Sequence, residues 1–162
     1  MARTPFDALV ADLDPAMIVV TAAAADDRDG CLVGFHCQCS IEPKLYAVWL
    51  SVKNHTYRIA TRADVLAVHC LSADQHDVAD VFGGATADDV DKLAGVSWTP
   101  GPDGVPLLDD VPHRFVGHIV GRHELDGDHM LFVLEPIEAS RPSPVTPLRL
   151  GQALDIDPGH PA

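Results

Sequence analysis

The sequence predicts a mainly β fold, a small barrel of about six or seven antiparallel strands with short helices inserted between them. The first observation is a series of short segments rich in β-branched and apolar residues, each bounded by turn residues. The second is that the helical patterns between these segments are short, at about two turns each. The third is a tight Asp-Gly turn that joins the last two segments as a hairpin. The predicted strands are Met17–Ala23, Cys31–Ser40, Leu45–Val52, Val65–Leu71, Arg114–Glu124 and His129–Glu138.

Length and composition indicate a single domain over residues 1–162. A hydrophobic content of 47% argues against disorder. The formal net charge of -13 makes nucleic acids and anionic membranes unfavourable partners. The sequence contains neither an apolar stretch of membrane-spanning length nor an N-terminal signal core. We therefore expect a cytoplasmic protein whose four cysteines remain thiols.

Capping residues and helical spacing predict four short helices. Thr4 and Pro5 are a cap and a first helical residue for a helix over residues 4–13. A second helix follows Asn54 or Thr56, either of which can cap it. The remaining two are expected over residues 74–82 and 88–93.

Glycine and proline predict where the strands deviate from regular geometry. Gly117 and Gly121 lie inside a predicted strand, which indicates a bend or the close approach of another backbone. Pro136 places the far end of the last strand at an edge or a bulge. Residues 98–112 are expected to form a loop with one short strand, and residues 151–162 a tail on the surface or on a partner.

Positive charge and hydroxyl groups are concentrated where the third strand meets the second helix. The candidate phosphate-binding residues are Ser51, Lys53, Asn54, Thr56 and Arg58. Backbone N–H groups at the start of a helix favour an anion, and these side chains add donors and charge. The alternative interpretation is an ordinary capped helix with solvated basic residues.

Alternation along a strand places His36 and Gln38 on one face and Cys37 and Cys39 on the other. Two cysteines cannot complete a structural zinc site, and Cys70 would have to come from another strand. We therefore expect no metal and favour small buried side chains on a core face. The other open interpretation is that this strand lines a ligand pocket.

His129 follows the Asp-Gly turn and opens the last predicted strand, so it is expected at the rim of the barrel. A histidine there can donate a proton or a hydrogen bond to a ligand. The alternative is a surface turn histidine. The sequence carries no nucleophile, P-loop or dinucleotide-binding motif.

The order of these segments resembles the flavin reductase-like family, whose fold is an FMN-binding split β-barrel. The likeness is carried by VGFHCQCSIEP, by LYAVWLSV running into KNHTYRIA, and by GDHMLFVLEPIEA. VLAVHCLSADQHDVADVFGG matches the intervening strand and helix of the family, and the likeness covers residues 10–150. The sequence departs from the family pattern at His36, Cys37 and Cys39. The choice among FMN, FAD and a deazaflavin therefore stays open.

The resemblance implies roles for the candidate residues and for partners. His36, Cys37, Gln38, Cys39 and Ser40 would follow the flavin ring and ribityl chain, largely through backbone groups. Ser51, Lys53, Asn54 and Thr56 would bind its phosphate with Arg58 nearby, and His129 would lie at the nicotinamide or flavin edge. It also implies a homodimer that takes a hydride from NADH or NADPH and supplies reduced flavin to a monooxygenase.

The chemistry agrees with this residue set, because hydride transfer to a flavin needs no protein nucleophile. The leading hypothesis is therefore an NAD(P)H:flavin oxidoreductase, the reductase component of a two-component system. The alternatives are a flavin carrier or sensor without turnover, a deazaflavin-dependent reductase, and a thiol- or metal-responsive protein that uses Cys37 and Cys39.

Overall fold

The computed structural model describes residues 2–84 and 90–158, and these form one curved antiparallel sheet with short helices around it. The strands are β1 (Ile18–Ala24), β2 (Asp27–Val33), β3 (His36–Ser40), β4 (Leu45–Ser51), β5 (Val65–Cys70), β6 (Trp98–Pro100), β7 (Pro106–Leu108), β8 (Arg114–His123) and β9 (His129–Ser140). The sheet contains seven of them in the order β2-β1-β5-β8-β9-β4-β3. A separate hairpin of β6 and β7 packs beside it. The mainly β prediction is confirmed.

The sheet curls because its two ends share one core. Cys31 and Val33 of β2 belong to the same buried cluster as Val48 and Leu50 of β4. The Phe35 carbonyl between β2 and β3 accepts a hydrogen bond from the Trp49 N–H at 3.0 Å. The first and last strands of the sheet are thus consecutive in the chain and are held near each other across an open seam.

The prediction of one strand over Cys31–Ser40 is wrong, because this segment contains parts of two strands. β2 ends at Val33 and pairs with β1, whereas β3 begins at His36 and pairs with β4. Gly34 and Phe35 connect them. The segment has no turn signal strong enough to mark this break, since Gly34 is its only glycine or proline.

The helices are α1 (Pro5–Leu13), α2 (His55–Ala60) and α3 (His76–Gly83). Thr4 caps α1 and Asn54 caps α2, as predicted. The predicted helix over 88–93 lies partly outside the described residues, and a 3-10 turn follows at Lys92–Gly95. In the described part of the chain, no helix has the length and apolarity needed to cross a bilayer.

The segment over residues 98–112 is more regular than predicted. It holds two short strands instead of one, and they pair with each other as β6 and β7. The Thr21 hydroxyl of β1 donates a hydrogen bond to the Pro106 carbonyl at 2.6 Å and fastens this hairpin to the sheet.

The irregularities of β8 and β9 occur where glycine and proline predicted them. Gly117 pairs with Pro136 while its neighbour Val116 pairs with Glu138, so the ladder is shifted by a bulge at this point. A Cβ at Gly117 would lie 2.8 Å from Leu134 Cβ and 3.3 Å from the Glu135 carbonyl oxygen. The expected close approach of another backbone is therefore confirmed.

Gly117→Ala is expected to destabilise the protein by about 1–3 kcal/mol, the cost typical of overpacking a site that cannot relax. The atoms in the way are a Cβ and a backbone carbonyl, so rotation of a side chain cannot relieve the clash. Urea unfolding measures the difference. Gly95→Ala is the matched control, because a Cβ there meets nothing within 4 Å. Equal stability of the two variants would contradict the prediction.

Candidate functional site

A cavity of about 470 Å³ lies along the open seam of the sheet. Its first wall is residues 31–35, on the edge of β2 that is not paired with β1. Its second wall is formed by Trp49 and Ser51 of β4. Residues 153, 154, 156 and 158 of the C-terminal tail lie along a third side. The volume is within the range of small-molecule and cofactor sites.

Three predicted site residues meet at the polar end of this cavity: Ser51, Asn54 and His129. Ser51 and His129 are directly opposed in the β4–β9 ladder. The Asn54 N–H donates to the Ser51 carbonyl at 3.0 Å, and the Asn54 side chain accepts from the Thr56 N–H at 3.2 Å. The turn after β4 and the cap of α2 therefore fix Asn54 beside the cavity.

The His129 imidazole is held by its neighbour in sequence. Its Nδ1 lies 2.6 Å from the Asp128 carboxylate, and the His129 side chain is 26% exposed. This hydrogen bond lowers the pKa of Asp128, with a smaller contribution from the charge of Lys53. The Val52 N–H donates to the Asp128 carbonyl at 3.0 Å, which anchors the turn to β4. Because Nδ1 donates to the carboxylate, Nε2 is the ring atom left for a ligand.

The inner wall of the cavity is electrically neutral at Cys31. Burial raises the pKa of the Cys31 thiol to about 12, so it remains protonated at neutral pH. Thr56 lies next to this thiol and is fully buried, and thus the structure does not bring its side chain to the cavity lining. Lys53 and Arg58 lie on the exposed surface on either side of α2's first turn.

Strand β3 lies outside the cavity, because Phe35 is the last lining residue before β3 and no residue of 36–40 contributes to the lining. The His36 ring nitrogens lie 2.6 Å from the Tyr46 hydroxyl and 2.6 Å from the Ala16 carbonyl oxygen, so His36 is tied to the end of the barrel. Ser40 is half-buried, and the Gln38 amide donates to the Ser40 carbonyl at 3.0 Å. The roles of His36–Ser40 toward a flavin remain predictions.

The expectation that Cys37 and Cys39 are buried on a core face is wrong. Both thiols are exposed, because β3 is the last strand of the sheet and nothing in the described chain covers that face. Among the described residues, no group of three or more His, Cys, Asp or Glu side chains is placed to hold a metal.

Two aromatic residues of the cavity were not among the predicted site residues. Trp49 was assigned only to an apolar strand, and Phe35 was placed in the interior of a single long strand. Phe35 lines the cavity and contacts His129, with 4.9 Å between the ring centroids. The sequence signal for it is weak: an aromatic residue directly after a glycine in an otherwise apolar run.

Relatives of known description match between about half and three quarters of this chain. An FMN reductase (NADH) of Stutzerimonas stutzeri is 28% identical over 76% of this chain and 73% of its own length. The reductase subunit of a flavin-dependent monooxygenase from Rhodococcus jostii is 33% identical over 49% of this chain and 42% of its own length. The chain spans between 37% and 73% of the length of the curated relatives that it matches.

Solved structures give the same result for the fold. The NADH:FAD oxidoreductase of Streptomyces globisporus superposes with a TM-score of 0.75 at 24% identity, over 87% of this chain and 86% of its own. The family model for the flavin reductase like domain matches residues 14–151. That range contains the whole curved sheet and, of the cavity walls, residues 31–35 and the β4 residues Trp49 and Ser51. The chain therefore belongs to the flavin reductase-like family.

Proposed function

We propose that this protein is an NAD(P)H:flavin oxidoreductase that binds a flavin in the seam cavity. The observation that carries the proposal is the combination of one apolar slot and one polar end in a single cavity of a flavin reductase-like fold. A flavin has the same division, with a flat aromatic ring and a phosphorylated chain. When bound, it supplies the hydride chemistry, and the protein supplies position and electrostatics.

The residues present fit such a ligand. The slot between residues 31–35 and Trp49 is lined by backbone and by apolar side chains, which suit a flat ring. The neutral Cys31 thiol adds no charge to that wall. Ser51 and Asn54 offer polar groups at the other end, and Lys53 between them brings a positive charge to the phosphate end.

Each remaining candidate has a role consistent with its place. His129 holds its ring at the mouth and orients the ligand edge through Nε2, while Asp128 fixes the ring through Nδ1. Arg58 adds positive charge on the outer side of α2. Thr56 supports the first turn of α2 from inside the core. Residues His36–Ser40 influence the flavin ring indirectly, because their backbone continues from Phe35, which lines the slot.

The direct test is to purify the protein, add FMN and follow the oxidation of NADH and NADPH at 340 nm. We expect flavin-dependent oxidation with at least one nicotinamide. FMN binding without turnover would support the carrier or sensor function instead. Reduction of a deazaflavin but not of FMN or FAD would assign the protein to deazaflavin chemistry. No binding of any flavin would refute the proposal.

Lys53→Ala and Ser51→Ala are each expected to weaken FMN binding about tenfold and riboflavin binding little, because riboflavin lacks the phosphate these residues are proposed to contact. Fluorescence titration with the two flavins measures the ratio of dissociation constants. Lys44→Ala is the matched control, since Lys44 is exposed in the β3–β4 turn. An unchanged FMN-to-riboflavin ratio in both variants would place the phosphate elsewhere.

We also infer that the protein is a cytoplasmic, single-domain homodimer that supplies reduced flavin to a monooxygenase. The outward face of β4 and β9 supports the dimer, because Trp49, Leu131 and Val133 are only half-buried there. The Rhodococcus relative is named as the reductase subunit of a flavin-dependent monooxygenase, which supports the proposal of a monooxygenase partner. Analytical ultracentrifugation tests the first point: a monomer at micromolar concentration would refute it.

A further inference from the structure

Phe35 is an unusual residue for the connection between two sheet strands. The residue is 55% exposed, although large aromatic residues are usually covered. Its backbone is fixed, because its carbonyl accepts the Trp49 N–H at 3.0 Å. Phe35 is thus an aromatic side chain held at the mouth of the cavity by the ladder of β4.

Among the described residues, the ring of Phe35 has one aromatic partner, and more than half of the surface of Phe35 remains open. It meets the His129 ring at a centroid distance of 4.9 Å and an angle of 56°. His129 is fixed in turn by Asp128 at 2.6 Å. The pair forms a rigid rim above the slot, with a π surface on one side and an imidazole on the other.

We propose that Phe35 is a binding residue for the hydride donor, and that its ring face stacks on the nicotinamide and favours the oxidised, cationic form. This proposal rests on the proposed flavin reductase function. The reduced nicotinamide ring is neutral. Hydride donation breaks one C–H bond and passes the hydrogen with both electrons to the flavin, so the nicotinamide ring is left with a positive charge.

An aromatic face attracts such a cation more strongly than it attracts the neutral ring. The contact therefore strengthens as charge develops, and interactions that are stronger in the transition state accelerate the reaction. The surroundings allow this, because the neighbouring cavity wall is apolar and the Asp128 carboxylate is engaged with His129. Phe35 is both exposed and part of the cavity lining, so its open ring face is accessible to a second planar molecule when a flavin fills the slot.

Phe35→Leu keeps an apolar side chain and removes the aromatic face, whereas Phe35→Tyr keeps the face. Ile41→Ala is the matched control, because Ile41 is an 80% exposed apolar residue remote from the cavity lining. The probe is NAD⁺ titrated into the FMN-loaded protein, which does not react with it. Steady-state kinetics with NADH, the FMN dissociation constant and the mass in solution complete the set.

We expect Phe35→Leu to weaken NAD⁺ binding about fivefold and to lower kcat/KM for NADH by about the same factor. The mass should be unchanged, and FMN affinity should fall by a smaller factor than NAD⁺ affinity, because Phe35 is one of several residues that line the flavin slot. Phe35→Tyr and Ile41→Ala should match the wild type. Unchanged NAD⁺ affinity in Phe35→Leu would overturn the proposal. Conversion to a smaller species would also overturn it, because Phe35 would then belong to a subunit interface.

Further results distinguish this proposal from a positioning role of Phe35 and from failure of the proposed flavin reductase function. A shift of the pH profile with unchanged NAD⁺ affinity would make Phe35 a positioning residue for His129 and would overturn the binding role. A wild-type protein that binds no flavin would refute the proposed function itself. A wild type that reduces FMN normally, with a Phe35→Leu variant that is identical to it, would refute the inference alone.

Discussion

Replacing His129 with alanine is expected to slow flavin reduction by about a hundredfold, the size of effect typical of losing one preorganised hydrogen-bonding group. Flavin affinity should fall by a small factor only, because the slot for the flavin ring is formed by residues 31–35 and Trp49. Stopped-flow reduction of bound FMN by NADH gives the rate, and fluorescence titration gives the affinity.

The Asp128→Asn variant separates the chemistry of His129 from its orientation. An asparagine keeps a hydrogen-bonding side chain next to Nδ1 but removes the negative charge. We expect about a tenfold decrease in rate, smaller than for His129→Ala, because outer partners of a functional histidine set its tautomer and angle. His118→Ala is the control, since His118 is exposed on β8. A wild-type reduction rate in His129→Ala would return His129 to the role of a surface turn residue.

The free energy of unfolding is expected to fall by up to about 3 kcal/mol between pH 6.5 and pH 4 through His69 alone. His69 is fully buried in β5, and burial lowers its pKa from 6.5 to about 4. Its Nδ1 lies 3.2 Å from the Val19 carbonyl oxygen, and its Nε2 accepts the Leu108 N–H at 3.1 Å. The neutral ring therefore joins the β6–β7 hairpin to the centre of the sheet.

The direction of the effect follows from proton uptake. Between pH 6.5 and 4 the unfolded chain binds a proton at this histidine and the folded protein does not. The stabilisation is therefore complete above pH 6.5 and is lost as the pH approaches 4. Urea unfolding at several pH values measures it. His69→Phe should be less stable at pH 7 but less sensitive to acid, while His118→Phe keeps the wild-type slope. Parallel stability curves for wild type and His69→Phe would rule out this role.

Local chemistry was enough to predict several elements of the fold. Thr4 with Pro5 and Asn54 are capping residues that act within one turn, so a few neighbouring letters specify them. Gly117 and Pro136 likewise indicated an irregular ladder, since each has a backbone property that a regular strand interior disfavours. At the site, Ser51, Asn54 and His129 were predicted and do meet at one cavity.

The errors arise where long-range contacts override local preference. The second strand was predicted to start at Cys31, yet β2 begins four residues earlier, at Asp27. Its charged residues are satisfied by distant partners: Asp27 by Arg62 at 2.8 Å and Arg28 by the Trp98 ring at 5.6 Å. These contacts join residues far apart in sequence, and no local sequence pattern predicts them.

Strand boundaries and strand order around the seam explain why the positions of Phe35, Cys37 and Cys39 were not predicted. Phe35 was hidden because a single apolar run contains the end of one strand and the start of another. The exposure of Cys37 and Cys39 depends on β3 being the last strand, which is a property of sheet order and not of sequence pattern. Strand order cannot be read from apolar periodicity, so the sequence did not indicate that residues 31–35 line the cavity.

The Gly34–Phe35 connection joins a cavity wall to a strand that lies outside the cavity. A ligand that orders residues 31–35 therefore limits the motion of β3 as well, because β3 begins directly after Phe35 and the Trp49 N–H donates to the Phe35 carbonyl. We expect flavin to slow amide hydrogen exchange in His36–Ser40 although these residues need not touch it. The mobility of β3, and of its unpaired edge, would then depend on whether the cavity is occupied.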